Sequence, residues 1–74
     1  MNESVRVGAV VLATLTVGDM RWDGELCDVA SMACVHGVLT ARCVSVCSPS
    51  QEAWVPVNDR SVQLVAPPVE GVRP

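Results

Sequence analysis

A chain of 74 residues with neither phenylalanine nor tyrosine must build its core from valine, leucine, alanine, methionine, cysteine and two tryptophans. Such a core is aliphatic and thin. A chain this short buries only about 60% of the surface its unfolded form exposes, so it has room for one small domain. Half of the residues are apolar (50%) and the net charge is −3, which is the balance of a folded globule and not of a disordered tail. Valine dominates the apolar set, and β-branched side chains suit the pleated, half-buried surface of a sheet. A mainly β fold is therefore expected.

Lysine and isoleucine are missing as well. All four absent residue types use AT-rich codons, which points to a high-GC genome such as that of an actinobacterium or one of its phages. The acidic balance argues against nucleic-acid binding, because Arg6, Arg21, Arg42, Arg60 and Arg73 are scattered and phosphate contacts need a concentrated basic patch. The apolar run Val7 to Val17 is too short to span a bilayer and lacks the marks of an export signal, so a cytoplasmic protein without membrane contact is expected.

Along the chain, Met1 to Ser4 reads as a short frayed end. Val5 to Val17, dense in β-branched residues and free of proline, reads as a long strand bent at Gly8. Gly18-Asp19 and Asp23-Gly24 mark turns. Residues 25–36 are ambiguous. Leu26, Val29, Ala30 and Ala33 fall at helical spacing, with Asp23 as a candidate cap and Gly37 as a stop. The pattern of the whole chain favours instead a strand from Glu25 to about Ala30 followed by a loop, and a short helix stays open as the alternative. Val38 to Cys47 reads as a strand with Leu39, Ala41, Cys43, Ser45 and Cys47 on one face. Ser48 to Gln51 forms a loop, and Glu52 to Val57 returns as a strand whose Pro56 implies an edge or a strand end. Asn58-Asp59-Arg60 supplies a polar turn before the short strand Ser61 to Val65, and residues 66–74 read as an extended, proline-rich tail.

This order, a long strand, a turn region, strands in meander, a polar turn and a last short strand, resembles the SH3-like small barrel. Val5 to Ala13 resembles its opening strand, and Trp22-Asp23-Gly24-Glu25-Leu26 resembles the lead-in to its second strand. Trp54-Val55-Pro56-Val57-Asn58 through Val62-Gln63-Leu64 resembles its closing strand, turn and strand. The resemblance implies a barrel of about five strands over residues 5–65. It does not bring polyproline-peptide binding with it, since that activity needs a groove lined by several aromatic side chains and this chain has only Trp22 and Trp54.

Candidate chemistry is sparse. Cys27, Cys34, His36, Cys43 and Cys47 are the one set worth weighing as a zinc site, spaced C-x6-C-x-H-x6-C-x3-C with no C-x2-C pair. On a regular strand Cys43 and Cys47 would stand roughly 13 Å apart, too far to share a metal or a disulfide. Buried, unpaired cysteines acting as small hydrophobes are the expected state. A disulfide from Cys27 or Cys34 to a neighbouring strand and zinc as a cofactor are the alternatives. Cys34 and His36 lack an orienting third group and a pocket, so no catalytic constellation is expected and the chain reads as a non-enzyme. Asp19, Asp23, Glu25 and Asp28 form a loose acidic stretch around Arg21 and Trp22. The two tryptophans are the best candidates for contact residues, with Trp22, between Arg21 and Asp23, expected to be the more exposed and Trp54 the more buried. Trp22 with Asp19, Asp23 and Glu25 is therefore the candidate protein-binding site.

These readings lead to a non-catalytic protein-interaction or regulatory module with a protein partner. The alternatives are a small acidic inhibitor of a host protein encoded by a phage or mobile element, of the anti-CRISPR or host-takeover kind, a zinc-stabilised structural protein, and an oligomer that self-assembles through sheet edges.

Overall fold

Every segment rich in β-branched residues becomes a strand. A computed structural model describes residues 5–57 and 60–68. It contains β1 (Val10–Val17), β2 (Met20–Val35), β3 (Val38–Ser45), β4 (Glu52–Pro56) and β5 (Val62–Ala66). They form one antiparallel sheet in the order β4-β3-β2-β1-β5. Among the described residues there is no helix, and no pairing joins β4 to β5, so the sheet is open. The expected frayed start at residues 1–4, the Asn58-Asp59 part of the polar turn and the tail beyond Pro68 lie outside the described residues.

β2 resolves the ambiguity over residues 25–36 in favour of a strand that runs on to Val35, without the helix and without the loop expected after Ala30. The helical spacing of Leu26, Val29, Ala30 and Ala33 does not correspond to a face of the strand, which carries a bulge at this point. Val29 pairs with Cys43 and Ser31 with Arg42, so Ala30 is an extra residue opposite none. Before it Cys27 and Val29 point inward; after it Met32 takes that side. The four apolar residues therefore do not share a face: Val29 is buried, whereas Leu26 and Ala30 are exposed. A second bulge leaves Gly24 unpaired between Asp23, opposite Thr14, and Glu25, opposite Ala13.

β1 starts later than expected. The bend at Gly8 is a full turn, with φ at 97° and the Ala9 N–H donating to the Arg6 carbonyl at 2.9 Å. A side chain there would also press on Pro68, since a Cβ would lie 3.3 Å from the Pro68 Cβ. The β2–β3 hairpin closes through His36 and Gly37, whose φ values of 50° and 78° are those of a two-residue loop matched to the twist of its strands. β3 stops at Ser45, two residues short of Cys47, and β5 takes in Ala66, which the sequence reading gave to the tail. Pro56 closes β4 on a sheet edge, as its missing N–H demands.

The core lies on one face of this sheet: Val5, Ala9, Val11, Ala13, Trp22, Cys27, Val29, Ala41, Cys43, Val55, Val57 and Val62, flanked by Leu15, Met20, Met32, Ala53 and Leu64. Trp22, at 1% exposed, is by far its largest member. The expected order of the tryptophans is reversed, because Trp54 is 48% exposed. Strand alternation explains both: charged Arg21 and Asp23 face water and turn Trp22 inward, whereas buried Val55 turns Trp54 outward. Truncating Trp22 to alanine should cost about 3–5 kcal/mol, most of the stability of a domain this size, while Trp54→Ala should cost less than about 1 kcal/mol. Urea unfolding followed by far-UV circular dichroism measures both.

Candidate functional site

The sequence placed the candidate site around Trp22, and the structure divides those residues between the interior and the surface. The Trp22 indole Nε1–H donates to Gln51 Oε1 at 3.1 Å. Ser45 Oγ donates to Glu25 Oε2 at 2.6 Å and accepts from the Ser48 N–H at 3.1 Å. These bonds tie β2 to the end of β3 and to the loop before β4, so Trp22 and Glu25 hold the fold at its corner. Trp22 itself offers no side-chain surface. Asp19, in the two-residue β1–β2 loop, and Asp23, opposite Thr14, are exposed.

The outer face of the sheet carries Trp54, which the sequence reading turned inward, together with Ser31, Arg42, Val44 and Glu52, which it left out of the site. Cross-strand register sets Ser31, Arg42 and Trp54 side by side on β2, β3 and β4, and sets Asp28, Val44 and Glu52 beside them. Arg42 is held in place from two sides. Its Nε–H donates to Ser31 Oγ at 3.1 Å, and its Nη1 meets Glu52 Oε1 at 2.7 Å. The pair is partly solvent-exposed, so it contributes little to stability but holds the guanidinium between Ser31 and Glu52 on the face that Trp54 shares. Farther along the same face, Leu26 pairs with Leu12 and is 38% exposed. The result is a mixed face on which Trp54 stands beside the Arg42–Glu52 pair, and Val44, Leu26 and the exposed carboxylates of Asp28 and Asp23 continue it along the sheet. The sequence signal for it was the alternation in Ala53-Trp54-Val55, once Val55 is assigned to the core.

The cysteines separate into two pairs. Cys34 and Cys47 are exposed, Cys27 and Cys43 are buried, and all four thiols are free. Cys27 lies opposite Ser45 and Cys43 opposite Val29, which makes the two buried thiols diagonal neighbours on the inner face. Among the described residues no group of three or more His, Cys, Asp or Glu side chains is placed to hold a metal ion. Burial pushes the Cys27 thiol up to about 12, helped by Cys43, Glu25 and Asp28 nearby, and burial pushes Cys43 up to about 11. Both are therefore protonated at neutral pH and poor as nucleophiles. They act as small hydrophobes.

No protein-family model matches the chain, and neither a curated protein nor a solved structure matches it. No helix among the described residues is long and apolar enough to cross a membrane.

The raised thiols give stability a definite pH dependence. Each pKa rises from 9.0 in the open chain, so the unfolded state loses protons first and stability is complete below pH 9. It should fall as pH climbs from 9 through about 11 and about 12, the range set by these two thiols. With neither lysine nor tyrosine in the chain, no other buried side chain obscures this limb. Thermal melts between pH 7 and 11 should show the decline, and a Cys27→Ala, Cys43→Ala double variant should flatten it.

Proposed function

We propose that this chain is a small, non-catalytic protein-interaction module that docks through the outer face bearing Trp54. The exposure of Trp54 carries this reading. A chain with two aromatic residues keeps one of them 48% open to solvent on a sheet edge, where an aliphatic residue would serve the fold equally well. Tryptophan is enriched among the residues that dominate binding energy, because it buries a large, rigid surface at small entropic cost. The exposed Asp28 and Asp23 farther along the same face and the net charge of −3 suit a partner with a basic contact surface, which they would attract and orient. The architecture is best read as an SH3-like barrel: β1 lies between β2 and the last strand β5, and β2 is long enough to serve both halves of the sheet. With one of two tryptophans inside, the polyproline groove of signalling SH3 domains is not part of this reading. A small acidic inhibitor of a host protein, carried by a phage or mobile element, would use the same surface in a different biological setting.

The test is capture of partners from lysate of a high-GC actinobacterium, with Trp54→Ala as the paired control. One dominant partner should be retained by the parent and weakened at least tenfold by Trp54→Ala, with binding that falls as salt rises from about 50 to 300 mM. Capture indifferent to Trp54→Ala, or no reproducible partner, would remove the outer face as the docking surface.

A further inference from the structure

Beyond this outer face, the β2–β3 hairpin has an open edge among the described residues. β1 covers β2 only as far as Asp28, and the chain before β1 extends the cover to Val29 through the Gly8 N–H to Val29 O and Val29 N–H to Ala9 O bonds, both 2.9 Å. Past that point β2 pairs only with β3, and among the described residues nothing pairs with the outer edge of Ser31 to Val35.

Which backbone groups face that edge follows from the ladder. The Val57 N–H donates to Leu39 O and the Ser45 N–H donates to Gln51 O, both at 3.0 Å, so the odd-numbered residues of β3 direct their backbone groups toward β4. Leu39 and Ala41 therefore do not bond to their β2 partners Cys34 and Met32. The N–H and C=O of Met32 and of Cys34 consequently point outward.

Native sheets guard such edges with charge, proline or cover. The edge strand β4 carries Glu52 and Pro56, and β5 runs into Pro67 and Pro68. The overhang has no such guard. From Val29 to Ala41 the chain holds no Asp, Glu, Lys, Arg or Pro, and Val35 and Leu39 at its tip are 47% and 45% exposed.

We propose that this edge pairs with a second copy of the chain, two β2 overhangs meeting antiparallel about a two-fold axis at Ala33. Met32 of one copy then lies opposite Cys34 of the other, and all outward donors and acceptors of both residues find partners. Ser31 lies opposite Val35, and no side chain in the seam is larger than methionine. The backbone pattern selects the occupant, because the outward groups of Met32 and Cys34 are complementary to themselves about this axis. Each copy carries −3, and the overhang, without Asp, Glu, Lys or Arg from Val29 to Ala41, is where two copies meet with least repulsion. An isologous interface of this kind closes on itself and joins the two sheets into one.

Sedimentation equilibrium over a concentration series measures the association. The mass should rise from 7.8 kDa to twice that value between roughly micromolar and millimolar protein. Added salt should leave it unchanged or strengthen it, the opposite of its effect on the basic partner, and Trp54→Ala should not alter it. Cys34→Lys puts a charge on the seam and should weaken pairing at least tenfold, with an unchanged urea midpoint at micromolar protein, where the parent is a monomer. Should that variant fail to fold, Cys47→Ser leaves Cys34 as the exposed thiol, and a short bismaleimide should link two copies through Cys34, about 8 Å apart across the seam by strand geometry. A monomer at every concentration, a dimer indifferent to Cys34→Lys, or slow hydrogen exchange at Met32 and Cys34 in a monomer would each overturn the proposal.

Discussion

The fold depends on how one large side chain fills a core that is otherwise made of small ones. Trp22 packs among valines, alanines and two cysteines, and its indole N–H is bonded to Gln51, so the same residue supplies bulk and ties the middle of the chain to the loop before β4. A sheet of this size with only valine-sized side chains on its inner face would leave gaps that small residues cannot close. Burying Trp22 leaves Trp54 as the aromatic that faces water. Interior and surface are thus linked: the core takes one tryptophan, and the other becomes the most distinctive feature outside.

Much of this was legible in the chain. Valine-rich runs, Gly18-Asp19, Pro56 and the loop at Ser48 to Gln51 marked strands, turns and an edge close to where they lie. What was not legible came from insertions of one residue. Ala30 shifts the inward side of β2 from odd to even positions, so the simple alternation that marks a strand is broken within residues 25–36. Only the pairing partners on β3 reveal it. Gly8 shows the same limit, because a glycine in a strand pattern reads equally as a bend or as a turn.

The candidate site was less legible than the fold, for a physical reason. Charged neighbours suggested that Trp22 stands in solvent, but in a strand they are the sign that the residue between them points away from it. Glu25 shows the same misdirection: read as part of an acidic surface, it is engaged by the Ser45 hydroxyl at the sheet corner. The surface that results is assembled across three strands. Ser31, Arg42 and Trp54 are far apart in sequence and adjacent only through register. Single-strand patterns do not contain such a row.

The inside-out assignment of the two tryptophans underlies both the stability of the core and the proposed docking face, and fluorescence of single-tryptophan proteins tests it most directly. Trp54→Phe leaves Trp22 as the emitter, and Trp22→Phe leaves Trp54. The account predicts blue-shifted emission and weak acrylamide quenching from Trp22, with red-shifted, strongly quenched emission from Trp54. The reverse order would contradict it, placing Trp54 in the core and Trp22 on the surface.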